Sequence, residues 1–99
     1  MKYVNLIYDE EYEDVAILCV PDYVADDVEH ITNLYAHWLY NNCDKHPFWI
    51  ITEKGYRIVN ATTESYIWWL NCHYIRTDEK AYIVSQHVRY NPEYPSADL

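Results

Sequence analysis

A single glycine, Gly55, is present in the 99 residues of this chain. That scarcity excludes the glycine-rich phosphate cradles, because neither a Walker loop nor a dinucleotide fingerprint can be written with one glycine. Basic residues are also few, with seven Lys and Arg against 16 Asp and Glu. Domains that track a nucleic-acid backbone cluster their cations, whereas these seven are dispersed, so direct nucleic-acid binding is not expected. No apolar run approaches the roughly 20 residues that cross a bilayer. The N-terminal MKYVNLIYDEE has a short apolar run that meets acids rather than a small-residue cleavage site, so neither a signal peptide nor membrane contact is expected. Three cysteines, Cys19, Cys43 and Cys72, are odd in number and widely spaced. They make no disulfide framework, which fits a cytoplasmic protein.

What is abundant is aromatic: 12 Tyr and 4 Trp. Aromatic side chains bury the most area per residue, which suits a chain too short to build a large core. The length fits one domain, expected over residues 1–90, with residues 91–99 as a loosely held tail. The net charge of −9 is uneven. Residues 1–29 hold nine acids and one base, giving −8, and residues 30–99 hold seven acids and six bases, giving −1.

Lys2 to Tyr8 alternates like a strand, and Val15 to Val20 is an apolar run of strand length ended by Pro21. Together they predict a hairpin with an acidic tip. From Asp22 to about Asn42, Val24, Val28, Ile31, Tyr35 and Trp38 recur at helical spacing, with Leu34 and Leu39 widening the stripe. Asp22 is the expected N-cap of that helix. Phe48 to Thr52 and Tyr56 to Asn60 predict a second hairpin whose turn holds Gly55. Residues 62–76 admit two readings. Thr62 is a candidate cap for a helix reaching Ile75, but Tyr66-Ile67-Trp68-Trp69 is rich in strand formers and Trp68, Leu70, Cys72 and Tyr74 alternate. The strand reading is favoured, with Ala81 to Tyr90 as the next strand. The expected fold is α+β: an antiparallel sheet with one long amphipathic helix on one face, in the order ββαββββ, or ββαββαβ if 62–75 is helical.

No catalytic constellation stands out, so an enzyme is not expected. Cys43 and His46 form a Cys-x-x-His, and Cys72-His73 is a second pair. Adjacent residues on a strand point to opposite faces, so they do not converge on one ion, and neither a metal nor a cofactor is expected. No G-x-S-x-G elbow is present.

The acids carry the remaining signal. Asp9, Glu10, Glu11, Glu13 and Asp14 sit at the hairpin tip, and Asp22, Asp26 and Glu29 follow at helical spacing. Helix neighbours so spaced lie about 5–6 Å apart at Cβ, comparable to successive phosphates. The expected partner is a basic protein, a nuclease or another nucleic-acid-handling effector, which the acidic face would engage as a phosphate mimic. Inhibitors of phage or mobile-element anti-defence type, such as anti-CRISPR and anti-restriction proteins, would act in this way. The alternative is a homodimer or larger homo-oligomer with an accessory or structural role. It would use an aromatic sheet face carrying Trp69, His73, Tyr82 and Tyr90.

Overall fold

The computed structural model describes residues 1–8, 14–42 and 46–99. Strands β1 (Lys2–Ile7) and β2 (Val15–Val20) form the expected hairpin, in register from Lys2 opposite Val20 to Ile7 opposite Val15. The turn at residues 9–13 lies outside the described residues. β2 is apolar throughout and buried throughout. It is an inner strand covered on both faces, and such strands lose the polar alternation of half-exposed ones.

The expected single helix is two. After Pro21 comes a one-turn α1 (Asp22–Ala25), and α2 (Val28–Asn41) follows. Asp27 breaks the run with φ −136° and ψ 32°, outside the helical region. Two consecutive Asp residues have weak helix propensity and give the chain little reason to stay helical there. Asp22 is the first helical residue, and Pro21 holds the cap position. α2 buries Val28, Ile31, Thr32, Tyr35 and Leu39, whereas Leu34 is exposed.

Two short strands, β3 (Trp49–Ile51) and β4 (Arg57–Val59), pair antiparallel as a separate ribbon. Gly55 lies in its turn at φ +84°. His46 ties the ribbon to α2. Its Nε2 donates to the Leu39 carbonyl at 2.9 Å, and its Nδ1 accepts from the Phe48 N–H at 3.1 Å.

Residues 63–74 are helical, which corrects the favoured strand reading. α3 (Thr63–Trp69) runs into a π-helical turn (Leu70–Tyr74). The start signal is local: Thr62 Oγ1 accepts from the Ser65 N–H, and Ser65 Oγ accepts from the Thr62 N–H, both at 3.1 Å. This reciprocal capping box satisfies two otherwise orphaned donors. The rest is tertiary. Tyr66, Trp69 and Leu70 share one helical face in the core, and the Tyr66 and Tyr35 rings meet edge to face at 4.9 Å. Two buried hydroxyl pairs lock α3 to α2. The Thr32 hydroxyl donates to the Val28 carbonyl at 2.7 Å, so Tyr66 donates to Thr32 Oγ1 at 2.9 Å, and Tyr35 bonds Ser65. Early in the π turn, the Asn71 side chain makes two hydrogen bonds to the Ala81 backbone.

The remaining strands are β5 (Tyr82–Val88), antiparallel to β2, and β6 (Ser96–Asp98), parallel to β1. The main sheet has the order β5-β2-β1-β6 and is mixed rather than wholly antiparallel. β5 pairs irregularly: Val15 lies opposite Val88, but Ile17 lies opposite Ser85. Three residues of β5 therefore span two of β2, a bulge that holds His87 at φ +58°.

The sheet's two faces carry two cores. Val4, Leu6, Ala16, Leu18 and Val20 pack under the helices. Ile7, Val15 and Ile17 pack on the other face against Val88, Tyr90 and Tyr94. Residues 89–95 thus cross the second face as a strap, and the segment 91–99, expected to be a loose tail, closes the sheet. Its anchor is Asn5, fully buried. Asn5 Nδ2 donates to the carbonyls of Asn91 (2.8 Å) and Tyr94 (3.2 Å), and Oδ1 accepts from the Asn91 N–H (3.1 Å). The fold is α+β, and its order follows the alternative reading with β6 added.

Candidate functional site

The acids expected to form one face fall into separate places. Tyr8 and Asp14 flank the hairpin tip, while Asp22 follows the far end of β2. Six residues of strand span about 17 Å, so the tip and the helix start are not adjacent. Asp9, Glu10, Glu11 and Glu13 lie outside the described residues.

At the helix start, Asp22 and Asp26 are exposed but paired within the chain. The Met1 ammonium lies 2.9 Å from Asp22 Oδ1, and Lys2 Nζ lies 2.8 Å from Asp26 Oδ1. The Met1 hydrogen bond holds the Asp22 carboxyl below its ordinary pKa, and the Asp26 hydrogen bond raises that of Lys2. These two acids are therefore partly neutralised where a phosphate mimic would leave them bare. Asp27 and Glu29 are exposed and form no ion pair among the described residues. Glu29, Tyr90 and Asp98 border a cleft of about 450 Å³ beside β6.

Asp14, at the other end, belongs to an open cleft of about 340 Å³ between the hairpin, the start of α3 and β5. Its Oδ1 lies 2.9 Å from His87 Nδ1. Glu64 faces the same cleft and accepts from Gln86 Nε2 at 3.3 Å. Tyr8 also lines it, and burial pushes its phenol well above the ordinary range, with Glu64 and Asp14 adding to the shift. The phenol is therefore neutral, and the cleft presents two carboxylates and an imidazole. The sequence pattern alone assigned neither Glu64 nor His87 a functional role. The β5 bulge that aims His87 at Asp14 leaves no local signature, since Ser85-Gln86-His87-Val88 reads as an ordinary strand.

No protein-family model, curated protein or solved structure matches this chain. The geometry is thus the basis for any functional reading.

The four aromatic residues expected on a common sheet face are dispersed, because 63–74 is helical. Trp69 is core, its ring 5.7 Å from those of both Tyr35 and Tyr74. His73 is exposed in the π turn and rests between Trp38 (5.1 Å) and Trp68 (5.2 Å). Tyr82 is exposed on β5 opposite Cys19. Tyr90 is half-buried in the strap. Cys72 is exposed and Cys19 is buried, while Cys43 lies outside the described residues. Among the described residues, no three His, Cys, Asp or Glu side chains converge as metal ligands. No described helix is long and apolar enough to cross a membrane.

Proposed function

We propose that this chain is a non-catalytic, cytoplasmic binding protein. Its N-terminal carboxylates engage a basic nucleic-acid-handling protein, in the manner of a phage or mobile-element anti-defence inhibitor such as an anti-CRISPR or anti-restriction protein. The observation that carries the reading is the charge asymmetry: −8 within residues 1–29 against −1 in the other 70. Such a field steers a basic surface toward one end of the chain and repels free nucleic acid. The hairpin end is the better docking end, because Asp14 and Glu64 line an open cleft there. Asp22 and Asp26 lie at the other end of β2, where an ammonium and a lysine already pair with them, whereas Asp14 is paired with the His87 imidazole.

The test is capture of the tagged chain's partners from cells expressing a defence nuclease, at low and high salt and with competing DNA. The expected result is a basic nucleic-acid-binding protein, retained at low salt and displaced by DNA. Reversing Glu10, Glu11 and Glu13 to Lys is expected to abolish retention, whereas Asp22→Asn with Asp26→Asn leaves most of it. Retention of such a partner by the triple reversal would refute the assignment.

A further inference from the structure

The cleft at the hairpin end contains a polar group that the fold leaves without a partner. Thr63, the first residue of α3, borders this cleft. It is only 2% exposed, and its hydroxyl makes no hydrogen bond among the described residues. The hydroxyl is still not sealed off, since Trp49 Nε1 is the described side-chain atom that is both enclosed and unpartnered. What little Thr63 shows to the outside, it shows into the cleft. A buried hydroxyl is normally hydrogen-bonded, so this one marks a place where a further group belongs.

Two more atoms bordering the cleft are in the same condition. Gln86 Nε2 donates to Glu64 Oε1, which leaves Gln86 Oε1 and Glu64 Oε2 without a hydrogen bond among the described residues. Carboxylate, amide oxygen and hydroxyl can all accept. Asp14 adds a second carboxylate, with the His87 imidazole on its Oδ1. Tyr8 adds a ring that is 37% exposed. Burial, then Glu64 and Asp14, raise the pKa of the Tyr8 phenol, so both carboxylates act on one space.

This lining suits a cation whose donors are spread over a plane. A bare metal ion needs ligands that converge on one point, and no three His, Cys, Asp or Glu side chains do so among the described residues. An ammonium is a compact, strongly hydrated point charge with three donors. A guanidinium has five N–H donors in a rigid fork and no acceptor to oppose these oxygens, and it stacks on aromatic rings. The cleft, of about 340 Å³, is open, so a side chain can enter it from another protein.

We infer that the cleft is a guanidinium pocket, which takes one arginine side chain of the basic partner between Glu64 and Asp14. Thr63 and Gln86 accept from the edge of the guanidinium, and the Tyr8 ring lies against its plane. Whose arginine it is rests on the acidic reading above; the pocket itself does not. The other acids attract a basic surface from a distance, whereas this cleft fixes where it docks.

Amide NMR of the purified full chain, titrated with N-acetyl-arginine amide and in parallel with N-acetyl-lysine amide at constant ionic strength, tests this. The expected result is a saturable shift of the Gln86 side-chain amide and of the Thr63 and Glu64 backbone amides. It should be half complete at about 10 mM arginine compound, with the lysine compound at least about fivefold weaker. Glu64→Gln, at an exposed position, and Thr63→Val, which keeps the buried volume, should each weaken the arginine response about fivefold. Asp22→Asn, at the far end of β2, should leave it unchanged. Shifts that never saturate, an equal response to lysine, or an arginine response indifferent to Glu64→Gln would overturn the inference. Its failure is separable from that of the acidic reading: a basic partner captured equally by the unaltered chain and by Glu64→Gln keeps the acidic reading and removes the pocket.

Discussion

Asn5 is the side chain on which the C-terminal third of the fold depends most directly. Replacing it with Leu keeps the volume and removes every polar atom. The Asn91 and Tyr94 carbonyls then lose their donor, and the Asn91 N–H loses its acceptor. An orphaned buried polar group costs about 1–3 kcal/mol. The strap residues are only partly buried, so water relieves some of that, and about 1 kcal/mol per bond is the appropriate end of the range. The expected loss is therefore about 3 kcal/mol, from a total of about 5–15 kcal/mol for a chain of this length. In a thermal melt this is a fall of about 12–24 °C. Asn5→Asp should cost at least as much, because it sets a carboxylate against two carbonyl oxygens. Urea denaturation followed by tryptophan fluorescence measures the change. Trypsin cleavage after Arg89 in the folded protein should also accelerate, since the strap begins there. A loss below about 1 kcal/mol with unchanged cleavage would refute the view that Asn5 anchors the strap.

Two further outcomes follow from particular residues. Burial raises the Tyr66 phenol from 10.0 to about 12. The folded state thus keeps a proton that the unfolded chain releases, so stability is full below pH 10 and falls as pH rises from 10 toward 12. Denaturation midpoints across that range should decline, and Tyr66→Phe should flatten the decline while lowering stability near neutral pH. At Gly55 an added Cβ meets nothing within 4 Å, so the cost of Gly55→Ala is backbone strain alone at φ +84°. That cost is about 1 kcal/mol, and it should appear as faster amide exchange in β3 and β4 rather than in the main sheet.

The acids show how a sequence pattern and a surface can part. Asp22 and Asp26 were expected in the first turns of one long helix, and their spacing suggested a phosphate-like track, but Asp22 opens a single turn that Asp26 ends. What the spacing could not contain is that β1 brings Met1 and Lys2 alongside them. The cleft at Asp14 was less visible still, because Glu64 and His87 reach it from segments 50 and 73 residues away in the chain. The aromatic face failed for a different reason. Its register required 66–76 to be a strand, and the helix moved Trp69 into the core.

The sequence alone determined what rests on local rules. Alternation and apolar run length set β1 and β2, the single glycine set the turn of the ribbon, and helical spacing set most of the buried stripe of α2. Thr62 also carried a readable helix start, but strand propensity over 66–75 outweighed it. Tertiary structure decided the rest, wherever the deciding energy comes from partners distant in the chain. Tyr35 and Thr32 reward a helix at 63–69 that propensity disfavours. Asn5 reaches 86 residues along the chain to Asn91 and converts an apparent tail into a strap and an edge strand. The pairing of β5 with β2 bends the chain at His87 and so composes the cleft. Local propensity is worth tenths of a kcal/mol per residue, whereas each of these buried contacts is worth about one or more, so the distant contacts prevail.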